Sequence, residues 1–192
     1  GESLFGAIYP AWYYGRPVVA RDSVFDPSHF FETVEVCAVT NAFLPAEQVC
    51  RLVEEVESPS PHRFALCRIV CTRGSHTKET LEWTSTINAS AASHWGAPGT
   101  GILTASCDRW FEQRPGTVGR PVPGRRIGIL DDTGRIIGRG RPGAIAVQLP
   151  DPVIAGDLSE HTARHQSSPD GEWYITSERG LLDPDGFLAV SR

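Results

Sequence analysis

The feature that most constrains this chain is a change of texture near Gly116. Up to about residue 115, helical patterns alternate with short β-rich runs; beyond it, short strands are separated by Gly and Pro. Strands alternating with crossover helices imply a largely parallel sheet, whereas closely spaced strands with tight turns imply an antiparallel sheet or distorted barrel. The spacing predicts a partial parallel α/β subdomain over 1–115 and a small β-rich, barrel-like subdomain over 116–192. Their boundary reads as a structural joint and not as a flexible linker.

Local signals fill in this outline. Leu4–Tyr14 is apolar and aromatic, consistent with a buried helix, and Pro17–Ala20 is a short β-branched run. Asp26 before Pro27 is a helix start, with a capping acid and Pro at the first helical position. Val39–Leu44 reads as a strand stopped by Pro45, and Ala46–Glu57 carries Val49, Leu52, Val53 and Val56 at helical spacing. A Ser/Pro loop at 58–62 leads into a strand over Phe64–Thr72. In the second half, Arg126–Leu130, Ile136-Ile137, Ala144–Leu149, Trp173–Thr176 and Phe187–Val190 read as strands. Asp131–Gly134 and Asp183–Gly186 read as turns.

Composition bounds the function classes. The 192 residues carry a formal net charge of −5, which argues against binding nucleic acid or anionic membrane by bulk charge. With 40% hydrophobic and 21% charged residues the chain is globular in composition. A chain of this length buries about 70% of its unfolded surface without needing a metal or disulfide. Five Cys, irregularly spaced, do not form a secreted disulfide framework, and no zinc-type second ligand pair follows Cys67 and Cys71. No apolar run approaches the ~18–20 residues of a membrane span, so the expected setting is cytoplasmic. There is no Met, so Gly1 reads as a trimmed, processed or excised start.

Motifs then narrow the reading. Pro115–Gly124 followed by Ile127–Gly134 and by Gly140–Val147 reads PGTVGRPVPG, IGILDDTG and GRPGAIAV. Upstream stand Phe25-Asp26-Pro27 and Val39–Pro45; downstream stand Glu172–Gly180 and Asp183–Phe187. In this order, over nearly the whole chain, these runs resemble the adenylate-forming acyl-CoA synthetase family, in its acetyl- and medium-chain branch. The resemblance implies the fold of that family's large domain.

It also implies a nucleotide site, against which the departures stand out. The family's aromatic-Gly-x-Thr-Glu-Thr-Gly stretch stacks its aromatic on adenine, touches phosphate with its Thr and holds Mg²⁺ with its Glu. Here the run is Trp95-Gly96-Ala97-Pro98-Gly99-Thr100-Gly101, so Trp95 and Thr100 persist while Pro98 and Gly99 replace the Thr and the Glu. Loss of a carboxylate that holds Mg²⁺ on phosphate should be severe for phosphoryl chemistry. The family's Gly-Glu-Pro becomes Gly74-Ser75-His76, retaining Gly74. Its Thr-Gly-Asp, whose Asp grips the ribose, becomes Thr176-Ser177-Glu178, and a carboxylate displaced by ~1 Å can cost about 10²-fold. The closing Gly-Arg becomes Ser191-Arg192. The remnant nucleotide site is thus Gly74, Trp95, Gly96, Thr100, Glu178 and Arg192. The resemblance places the family's phosphate loop before residue 1 and its lysine-bearing C-terminal domain beyond Arg192.

Other constellations carry weaker chemistry. Asp157, His161 and His165 fall at helical spacing and read as solvated side chains of a surface helix rather than metal ligands, since three residues over two turns diverge too far for one ion. His94, His76 and Glu178 are candidates for a new acid/base site in the old cleft, against simple drift. Cys71 and Cys107 are candidate nucleophiles, although buried Cys is usually inert. Trp110-Phe111 and Trp12-Tyr13-Tyr14 are core or interface aromatics, marking a partner surface if exposed. Arg120, Arg125, Arg126, Arg135, Arg139 and Arg141 form either a solvated turn surface or a docking face for an acidic partner or carrier protein.

The expectation is a truncated, non-catalytic, motif-degenerate adenylate-forming domain that needs no cofactor. Its role is structural or protein-interacting inside a larger acyl-processing enzyme, such as a polyketide or nonribosomal peptide assembly line. Partners are neighbouring domains, a carrier protein or a second copy, and neither nucleic acid nor membrane. Two alternatives stay open: an acyl-CoA or acyl-carrier ligase using ATP and Mg²⁺, completed by segments outside this chain, and a repurposed catalyst in the vacated cleft.

Overall fold

The computed structural model describes residues 8–20, 24–55, 65–72, 74–96, 100–107, 114–148, 164–168 and 171–191. Two helices, α1 (Tyr9–Tyr13) and α2 (Pro27–Val36), come first. The start of α2 is the one the sequence predicts. Asp26 is extended, its carboxylate accepts the His29 amide at 2.8 Å, and Pro27 opens the first turn. Phe31 and Val34 of α2 are buried.

Next come β1 (Asn41–Pro45), α3 (Ala46–Glu55), β2 (Arg68–Thr72), α4 (Lys78–Thr86) and β3 (Ser90–Trp95), making two parallel crossovers. Phe43, Val70 and Ala92 lie side by side across the three strands. Then β4 (Thr104–Cys107) and β5 (Arg120–Pro121) add antiparallel, giving the order β1-β2-β3-β4-β5. The sheet is therefore parallel over its first three strands, and β5 carries it past Gly116 as far as Pro121.

A second, antiparallel sheet follows: β6 (Arg126–Leu130), β7 (Ile136–Ile137), β8 (Gly143–Gln148), β9 (Arg164–Ser168), β10 (Gly171–Leu182) and β11 (Leu188–Ser191). Its order is β11-β10-β8-β6-β7, with β9 paired to β10. Both Asp turns form as expected. Asp131 accepts the amides of Thr133 and Arg135, and Asp183 accepts those of Asp185 and Phe187.

The interior crosses from one sheet to the other. One cluster packs Phe31, Val34, Leu52, Ile69 and Trp83 between the first sheet and its helices. Another joins Trp95 and Leu103 to Ile129, Ile145, Tyr174 and Leu188. Backbone bonds tie the joint as well: Val118 donates to the Leu188 carbonyl, and Leu188 to that of Gly119, each at 2.8 Å. Gly119 has φ +95, and a Cβ there would run into the Ala105 backbone. The glycine lets the loop lie against β4.

Several expectations need correction. The buried helix over Leu4–Tyr14 is, among the described residues, the short α1, none of whose residues is buried. Periodicity marks an apolar face without saying what covers it. Pro17–Ala20 forms no strand. The helix face for Asp157, His161 and His165 fails at His165, which lies on β9 opposite Tyr174. Pairing to β10 imposes a period of two there; Asp157 and His161 lie outside the described residues. Conversely, α4 and β3 occupy a stretch in which the sequence suggested no element. α4 is capped by Thr77, which accepts the Thr80 amide at 3.2 Å.

Candidate functional site

Two of the expected remnant residues, Trp95 and Glu178, meet where β3 ends beside β10. Trp95 closes β3, and alternation along the strand sends it and His94 to opposite faces. Trp95 is 3% exposed and belongs to the cluster that joins the sheets. Its indole Nε1 donates to Glu178 Oε2 at 2.6 Å. A bond this short from an indole to a carboxylate is charge-assisted and stronger than a neutral one.

A local irregularity in β10 is where Glu178 sits. The pairing of β10 with β8 shifts register between Ile175 and Arg179. Inside that step the Thr176 hydroxyl donates to the Ile145 carbonyl at 3.0 Å and accepts the Glu178 amide at 3.3 Å. Such bulges re-aim side chains; here Glu178 meets the Trp95 indole. The sequence identified both positions as separate contacts to a ligand and missed that they bond to each other.

The other remnant residues are held by packing. A Cβ on Gly96 would run into the Gly101 carbonyl, so only a glycine lets these two backbones lie this close. Thr100 is buried within that loop, while Ala97, Pro98 and Gly99 lie outside the described residues. Gly74 has φ +150, and a Cβ there would sit 2.7 Å from Ala46 Cβ at the start of α3. Arg192 lies outside the described residues.

His76 and His94 do not gather with Glu178. His76 Nε2 lies 3.0 Å from the Ala92 carbonyl, to which it can only donate, so its N–H is directed at β3. Burial pushes its pKa down, opposed by backbone hydrogen bonding to Ala92 and Ile69. His94 stacks obliquely near Phe43, with ring centroids 6.1 Å apart, on the face of β3 opposite Trp95. Burial lowers its pKa too, and Nε2 has no hydrogen-bond partner among the described residues. The acid/base trio expected from the sequence is therefore divided between the two faces of one strand. Burial pushes the Cys71 thiol up to about 12, which leaves no thiolate for nucleophilic attack at neutral pH. The side chain of Cys107, and Trp110 and Phe111, lie outside the described residues. Among the described residues no three His, Cys, Asp or Glu side chains are placed to hold a metal.

Comparison with known proteins fits this architecture. The family model of the AMP-binding enzyme matches residues 3–153. The chain belongs to the AMP-binding enzyme family. It is 26% identical over 192 residues to the mitochondrial acyl-coenzyme A synthetase ACSM3 of Rattus norvegicus, covering 97% of this chain and 33% of that protein. It thus spans about a third of the length of the curated relatives it matches. Two solved structures share the fold. The O-succinylbenzoate coenzyme A synthetase of Bacillus subtilis, in complex with ATP and magnesium, has a TM-score of 0.69 at 22% identity, over 96% of this chain and 38% of that one. A benzoate CoA ligase from Burkholderia xenovorans has a TM-score of 0.73 at 17% identity, over 92% of this chain and 36% of that one.

The resemblance assigns Trp95 and Glu178 to adenine and ribose, and the structure gives both a different partner. The ring that should stack on adenine is enclosed in the apolar interior, and the carboxylate that should grip the ribose already accepts its indole N–H. Gly99 stands in sequence where the metal carboxylate belongs. The AMP-binding fold is retained, and Trp95 and Glu178 are bonded to one another. No helix among the described residues is long and apolar enough to cross a membrane.

Proposed function

We propose that this chain is a non-catalytic adenylation-type domain with a structural or protein-interaction role within a larger acyl-processing enzyme, of the polyketide or nonribosomal peptide kind. The observation that carries the proposal is the Trp95–Glu178 hydrogen bond at 2.6 Å, between the two residues that the resemblance would assign to adenine and ribose. Opening it for a nucleoside would take the buried Trp95 indole N–H from its acceptor, costing about 1–3 kcal/mol if left unsatisfied. The interaction role is supported by the rings of α1: Tyr9, Trp12 and Tyr13 are 60%, 65% and 78% exposed. Exposed aromatic clusters of this kind mark partner surfaces.

The test is ATP–pyrophosphate exchange with a panel of short- and medium-chain carboxylic acids, run with Mg²⁺ on the chain within its full-length protein. No exchange above the protein-free control is expected. Exchange that depends on both the acid and the chain would overturn the non-catalytic reading and favour a ligase.

A further inference from the structure

Of the six arginines between 120 and 141, four line one hollow. Arg120, Arg125, Arg126 and Arg139 surround an open basin of about 440 Å³, with Ile127 and Leu182 supplying apolar surface. No carboxylate belongs to its described lining. Neutral groups hold the guanidinium groups in place. Arg139 Nη1 donates to the Pro184 carbonyl at 2.6 Å, and Arg126 Nη1 donates to Gln148 Oε1 at 2.9 Å. Arg126 also lies over the Trp173 ring at 5.9 Å, and Arg120 over that of Phe187 at 5.7 Å.

The acids of the adjoining turn are committed elsewhere. Asp183 and Asp185 bond the two arms of Arg114 at 2.7 and 2.6 Å, and the second oxygen of Asp183 accepts backbone amides. In a chain of net charge −5, this gathering of positive charge runs against the overall balance. Four like charges around one hollow repel each other, and salt screens that repulsion only in part. Concave surfaces of one sign focus the field and concentrate ions of the opposite sign.

We propose that the basin binds a small molecule bearing at least two phosphate groups. The guanidinium fork matches phosphate oxygens two at a time. One phosphate monoester brings about −1.5 to −2 charges at pH 7, less than Arg125, Arg126 and Arg139 together balance. A volume of about 440 Å³ lies within the range of small-molecule sites. Ile127 and Leu182 give an uncharged part of the ligand a surface to cover. This site is separate from the Trp95–Glu178 pair and does not depend on the function proposed above.

The test is calorimetric titration of the whole chain with sodium pyrophosphate, without Mg²⁺, at low ionic strength. Saturable one-to-one binding is expected, at least ~10-fold tighter than inorganic phosphate and weakened by added salt. The double variant Arg125→Ala/Arg139→Ala should weaken it at least ~10-fold, while Arg135→Ala/Arg141→Ala, outside the lining, should stay within ~2-fold. Should the alanine pair fail to fold, Arg125→Lys/Arg139→Lys keeps the charge without the fork and should still bind several-fold more weakly. Equal losses in the inner and outer pairs, or no saturation, would overturn the proposal. So would displacement of pyrophosphate by a polyglutamate peptide at lower concentration, which would assign the surface to an acidic protein. ATP heat that vanishes in the basin variants belongs to this site; heat that persists in them contradicts the non-catalytic reading instead.

Discussion

A ring that stacks on a purine needs one face open, and Trp95 keeps only 3% of its surface exposed. Its volume fills the space between the sheets, so Trp95→Ala should lower unfolding free energy by ~3–5 kcal/mol. Trp95→Phe retains most of that volume and should lose distinctly less, as read by urea unfolding of both variants. Gly119 offers a backbone test. At φ +95 and against the Ala105 backbone, Gly119→Ala should destabilise by more than ~1 kcal/mol in the same assay. The sequence made Trp95 and Glu178 legible as positions because motif spacing marks them. Their bond joins residues 83 apart and depends on a bulge in β10, neither of which a local pattern records. A glutamate where the family has aspartate was the one visible signal, since its extra methylene extends the carboxylate's reach.

Legibility among the elements followed the strength of local chemistry. α2 was readable from Asp26 and Pro27, and α3 from Val49 and Leu52, because capping and apolar spacing agree there. α4 was not, because two of its buried positions are Thr80 and Thr84, whose hydroxyls bond the carbonyls of Thr77 and Leu81. A helix buried through threonine shows little apolar periodicity. Thr77 caps it, so Thr77→Ala should cost about 1 kcal/mol, measured by thermal or urea unfolding against an exposed-site control. β9 was read as helical because a four-residue spacing suggested a helix face, and pairing with β10 overrode it. β10 itself runs to Leu182, well past the Thr176 end expected, through the irregularity that holds Glu178.

The Trp95 cluster couples the two sheets, and His76 and His94 are buried outside it. The pKa values of His76 and His94 are depressed below 6.5 by burial, so the folded chain binds fewer protons than the unfolded chain just below that pH. Stability should be full above about pH 6.5 and fall as pH drops from there through the lower folded-state values. Urea midpoints at pH 7.5, 6.5 and 5.5 should show this decline, and His94→Leu should flatten it; an unchanged slope would rule His94 out as a source. At this scale an α/β sheet followed by an antiparallel one was legible from the change of texture, whereas the shared interior was not, because it rests on contacts between residues such as Trp95 and Ile145. The central claim is that the nucleoside position is closed by the protein's own side chains. It is tested most directly by the Trp95 indole N–H resonance in ¹⁵N-labelled protein, assigned with Trp95→Phe, during addition of ATP and Mg²⁺. The resonance should stay in place and resist solvent exchange up to millimolar ATP; a saturating shift, or loss of protection at micromolar ATP, would contradict the claim.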